Sequence, residues 1–122
     1  MEVVVHAFLS FQTMLKLYHW QTKIYARHIA TDTLHTKISA NIDRFVEILQ
    51  GTRGEVVMFN ENQIIDLRNF DEKRGFSLVN NFKKWVEIEL IKYIHPDETD
   101  LINLRDEMIG DLNQTLYLFS LQ

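Results

Sequence analysis

Cysteine is absent from this 122-residue chain. That excludes disulfides, thiolate metal sites and a cysteine nucleophile, so any metal must be held by His, Asp or Glu. Proline occurs once and glycine four times, and little else interrupts regular structure. No apolar run approaches the ~18 residues of a membrane span, and no charged start leads into an apolar leader. The expected partners therefore do not include a membrane, and the expected compartment is the cytoplasm. Long cationic runs are lacking too: 13 Lys and Arg stand against 17 Asp and Glu, for a net charge of −4. An electrostatic grip on nucleic acid is thus not expected. There is no Gly-rich phosphate loop and no Gly-x-Ser-x-Gly turn, which argues against nucleotide binding and serine hydrolysis.

What is present is helical patterning. Hydrophobic residues make up 46% and charged residues 25% of the chain, the balance of one globular domain over residues 1–122. Val4, Phe8, Phe11, Leu15 and Tyr18 recur at three- and four-residue steps across residues 3–22. Leu34, Ile38, Ile42, Phe45 and Leu49 repeat the pattern over 27–50, and Gly51 stands where that helix should end. Ser77 offers an N-cap for a third helix carrying Leu78, Phe82, Trp85, Val86 and Tyr93. After a corner at His95-Pro96-Asp97, a fourth carries Leu101, Leu104, Met108, Leu112 and Phe119. Residues 52–76 fit no helix; two short β-like apolar runs flank Asn60-Glu61-Asn62, as in a small hairpin or an irregular crossover. The expected fold is all-α, a four-helix bundle with one long connection.

Two features of this pattern bear on function. Leu9, Leu17 and Trp20 lie off the main stripe of the first helix, which points either to a second neighbour such as another copy of the chain or to a helix buried on several sides within a small bundle. Glu89 falls inside the apolar stripe of the third helix, where a buried carboxylate would need a tyrosine or lysine partner.

The second helix carries a polar stripe. Counted at 100° per residue from His28, residues Asp32, His35, Ser39 and Asp43 fall within ~60°, and Glu47 within ~100°. Asp43 and Glu47 sit on adjacent turns and are able to hold one cation together. His28 and Asp43 lie fifteen residues apart, or ~22 Å along a helix, whereas metal bonds are only ~2 Å long. No one ion in one chain can use them all. Two copies with antiparallel second helices would share two equivalent sites across a two-fold axis; otherwise the stripe is a solvated helix flank. An internal di-iron centre would need Glu-x-x-His on two helices, and the nearest approach, Asp32-Thr33-Leu34-His35, occurs once.

The run His19-Trp20, His28 with Asp32, then Asp43 and Glu47, over roughly residues 8–51, resembles the ferroxidase signature of Dps-type mini-ferritins. The resemblance implies a ferritin-like bundle and a homo-oligomer built from two-fold dimers. It implies iron at each intersubunit site, one or two ions, with zinc able to substitute. His19, His28 and Asp32 would come from one chain, and Asp43 and Glu47 from the other. Glu47 would bridge two irons, and Trp20 would stand close enough to quench stray radicals. His35, on the same stripe, reads either as a partner supporting the ligands from behind or as an ordinary exposed histidine. The activity implied is oxidation of Fe(II) by peroxide or oxygen. The interval "QTKIYAR" is about three residues shorter than is usual in that family, Ile29 stands where Glu often follows the second histidine, and the basic tail is missing. Whether dimers build a closed cage is left open. The fragment is also similar to compact Dps-like proteins of large viruses and phages, which adds a virus particle as a second compartment. The other function class is a structural or assembly module with the same scaffold and no redox chemistry.

Overall fold

The computed structural model describes residues 1–121. Four helices account for most of them: α1 (Glu2–Gln21), α2 (Tyr25–Arg53), α3 (Glu72–Ile88) and α4 (Thr99–Phe119), with a single 3-10 turn at Leu90–Tyr93. The apolar stripes close on one core. Phe8 meets Phe45 edge-on at 5.3 Å and Phe11 stacks on Phe82 at 3.9 Å, joining α1 to α2 and to α3. Burial of each such ring is worth about 1.5–3 kcal/mol, and that term rather than local propensity holds helices of this size together.

Contacts between side chains fix the topology. His19 lies beside His28 and Phe8 beside Phe45, so α1 and α2 are antiparallel. Arg27 meets Phe119, Asn41 meets Asp111 and Arg53 meets Glu98, so α2 and α4 are antiparallel. Arg105 bonds the carbonyls of Val86 and Glu87 where α3 and α4 run past each other. The two parallel pairs, α1 with α4 and α2 with α3, sit on the diagonals of the bundle.

Because α2 and α3 are parallel, the chain must return the full length of the bundle between them. Residues Gly54–Asp71 make that return without a strand among the described residues, so of the two forms expected from the β-like composition the irregular crossover is present and the small hairpin is not. The segment runs along α1 instead. Asn60 bonds Glu2, the Ile64 carbonyl meets His6 Nε2 at 2.6 Å, and the Phe70 N–H donates to Gln21 at 2.7 Å. Side chains of α1 thus supply partners that a second strand would have given.

Two helix boundaries differ clearly from the sequence expectation. Helix α2 passes through Gly51 and ends at Gly54, whose φ of 75° gives the left-handed C-cap. Helix α3 begins at Glu72, not near Ser77: the Asp71 carboxylate accepts the Arg74 N–H at 2.7 Å and caps it. Gly75, which reads as a breaker, is buried within α3 because the Tyr18 ring occupies the space a Cβ would take. Glu89 is not buried; it is 47% exposed at the end of α3 and pairs with Lys92 at 3.3 Å.

Candidate metal centre

The turn Thr22–Ile24 between α1 and α2 is three residues long. Thr22 closes α1 through its N–H to the Tyr18 carbonyl, at 2.8 Å. Its hydroxyl donates to the Glu72 carboxylate at 2.6 Å and accepts the Ile24 N–H at 3.2 Å. Arg27 Nη1 donates to the Tyr18 hydroxyl at 2.9 Å and to the Glu72 carbonyl at 2.7 Å, while its guanidinium lies over the Phe119 ring. Burial pushes the Tyr18 phenol above its ordinary pKa, which keeps it a neutral hydrogen-bonding group. This brace ties one end of all four helices together.

The short turn does bring the two histidines together. The rings of His19 and His28 stack with centroids 4.0 Å apart and an interplanar angle of 15°. Each ring bonds the other residue's backbone: His19 Nδ1–H donates to the His28 carbonyl at 2.8 Å, and His28 Nδ1–H to the His19 carbonyl at 2.9 Å. His19, 8% exposed, also lies 3.0 Å from the Thr31 hydroxyl, which itself donates to the Arg27 carbonyl. A carbonyl can only accept, so both Nδ1 atoms must carry protons. In the neutral rings the lone pair is then on Nε2, and among the described residues neither Nε2 has a protein partner. A metal-binding imidazole commonly has its other nitrogen tied to a carbonyl in this way.

The acidic residues stand apart from the pair. Asp32, Asp43 and Glu47 are exposed on α2, and none makes a side-chain hydrogen bond or ion pair among the described residues. No three His, Asp or Glu side chains gather into a metal-holding group within the described chain. The described chain thus does not bring His19, His28, Asp32, Asp43 and Glu47 together.

Trp20 is 69% exposed. It lines an open groove of about 440 Å³ with Gln12, Thr13, Lys16, Leu17, His35 and Leu67. Burial against this groove lowers the His35 pKa, and the neighbouring Lys16 charge lowers it further. His35 is thus biased toward the neutral form. Leu9 and Asp43 border a second hollow farther along the same α1/α2 face, with Gln12 common to both.

Sequence reasoning did not find Thr31 or the brace of Tyr18, Arg27 and Glu72. Thr31 had a signal, a hydroxyl three residues after His28 on one helix face. Glu72 had none, because α3 brings it in from fifty residues away.

The family model that matches this sequence covers residues 19–119. The chain belongs to DUF5856, a family of unknown function. The match starts at His19 and takes in His28 and all three acids of α2. Neither a curated protein nor a solved structure matches this DUF5856 chain.

Proposed function

We propose that this DUF5856 protein is a Dps-like iron-binding protein that oxidises Fe(II) with peroxide or oxygen between two copies of the chain. The observation that carries the reading is the locked histidine pair. Two imidazoles, each with Nδ1 committed to a carbonyl, offer two Nε2 donors of the kind that suit Fe(II). Asp32, whose carboxylate has no partner among the described residues, adds a ligand one turn on. Asp43 and Glu47 of a second chain complete the set, since their own histidines are too far away. The connectivity, with one long crossover between parallel α2 and α3, supports a ferritin-like arrangement.

Iron is the substrate. Each Fe(II) loses one electron to the oxidant; two such electrons and two protons cleave the O–O bond of one hydrogen peroxide into two waters. The protein's part is to bind the ions with open positions for the oxidant. Trp20, next to His19 in the chain and exposed at the groove, would intercept stray radicals. Zinc would occupy the same donors without redox turnover.

Anaerobic addition of Fe(II) followed by peroxide, monitored by ferric absorbance, tests the reading. The protein should oxidise iron faster than buffer, and His28→Ala and Glu47→Ala should each lose that excess by about tenfold or more. Iron that neither binds nor oxidises faster than in buffer leaves only a scaffold role.

A further inference from the structure

The α2 face that carries the acids has a symmetry of its own. The step from His28 to Asp32 equals the step from Asp43 to Glu47, four residues each. Consequently one antiparallel register, with the two-fold axis between Lys37 and Ile38, makes two pairings at once. It sets His28 level with the partner's Glu47, and Asp32 level with the partner's Asp43.

The same register matches the rest of the face. Ile29, 47% exposed, comes level with the partner's Val46, an apolar pair in place of the acid that the resemblance would put at position 29. Thr36 and Ser39 meet their partner counterparts next to the axis, where small side chains let two helices approach. On α1, exposed Leu9 and Trp20 flank this surface at its two ends.

One feature opposes the union. Each of the two sites gathers three carboxylates, Asp32 with the partner's Asp43 and Glu47, on chains that each carry a net charge of −4. The groove beside them offers one ammonium, Lys16. Exposed carboxylates lose solvation and repel when packed face to face, and like-charge juxtaposition costs a complex dearly. A divalent cation reverses the sign of that interaction while taking up an Nε2 lone pair.

We propose that a divalent metal ion gates dimerisation of this chain: without the ion the acids of α2 hold two copies apart, and with it the copies lock in the register that pairs Asp32 with the partner's Asp43. This rests on the split-site reading above, and it makes metal binding and assembly one linked equilibrium. Uptake of iron would then create the second half of its own binding site.

Sedimentation velocity of the full chain, stripped with chelator and then titrated with Zn(II) or with Fe(II) under anaerobic conditions, tests the gate. The expected mass is 14.5 kDa for the stripped chain and twice that with metal, with the dimer dissociation constant falling about tenfold or more. The double variant Asp32→Asn with Asp43→Asn leaves one carboxylate of the three at each site, Glu47, and so removes most of the repulsion and two of the five ligands. It should dimerise more readily than the stripped wild type and gain at least about tenfold less from the metal. A dimer equally stable with and without a bound metal overturns the gate and leaves the split site standing. A chain that stays monomeric at saturating metal, in both forms, overturns the gate and the split site together. Helical circular dichroism of the double variant separates a folding defect from either result, and Asp32→Asn alone then repeats the test.

Discussion

Glu98 and Gly75 show how much of this bundle rests on single residues. The Glu98 carboxylate is buried where α4 begins and accepts Arg53 Nη2 at 2.7 Å and the His95 N–H at 2.8 Å. The Arg53 hydrogen bond above all holds its pKa below the ordinary carboxylate range, against the opposing effect of burial. A carboxyl with a depressed folded pKa adds stability above its unfolded pKa and loses it as pH falls through the folded value. Glu98→Gln should therefore cost about 1–3 kcal/mol near neutral pH, and its deficit relative to wild type should shrink on acidification. Urea melts at stepped pH check this; a pH-independent deficit would show that the charge is irrelevant. Gly75 makes a steric case. Any Cβ there enters the ring of fully buried Tyr18, so Gly75→Ala should lose about 1–3 kcal/mol despite alanine's better helix propensity. Tyr18→Leu in the Gly75→Ala background should recover part of that loss.

Among the elements, the crossover Gly54–Asp71 has the least to hold it. It exposes Val56, Met58 and Ile64, the last at 81%, and its backbone bonds are scattered contacts to Gln50, His6 and Gln21. Limited proteolysis should cut between Val56 and Leu67 before it cuts any helix, with mass spectrometry locating the first nick; a first cut within α1 would contradict this ordering. The same segment shows where sequence patterns stop informing. Its β-branched and aromatic residues match a strand by composition, but a strand needs a neighbour, and here side chains of α1 and α2 take that place. The start of α3 was obscured for a similar reason. Gly75 looks like a helix breaker until the Tyr18 ring explains it, and Asp71 is as good a cap as Ser77. The four apolar stripes were legible because burial enforces a helical period in the sequence itself. The histidine half of the candidate site was legible as spacing, but its stacking depends on Thr22 and Glu72, which are far apart in the chain.

At the scale of the molecule, the brace of Tyr18, Thr22, Arg27 and Glu72 closes one end of the bundle, and the Arg53–Glu98 pair closes the other. The α1/α2 face between them carries the histidines, the acids and the exposed Trp20. No helix among the described residues is long and apolar enough to cross a membrane. Polar networks tie both ends and leave the α1/α2 flank open, and it is on this flank that the association proposed above would take place.

The course of the crossover also limits how this fold can change by insertion or deletion. From Arg53 back to the level of Arg27 is about 40 Å, and the 18 residues of Gly54–Asp71 span at most about 60–65 Å when fully extended. Only a handful of those residues is slack. Descendants of this chain are free to lengthen the segment, but one shortened much below about 13 residues can no longer deliver α3 to its place. Such a chain would have to thread α3 in the opposite sense, exchanging the neighbours of every helix, so the length of a stretch with no regular structure acts as the tether that selects one bundle topology over its mirror in connectivity.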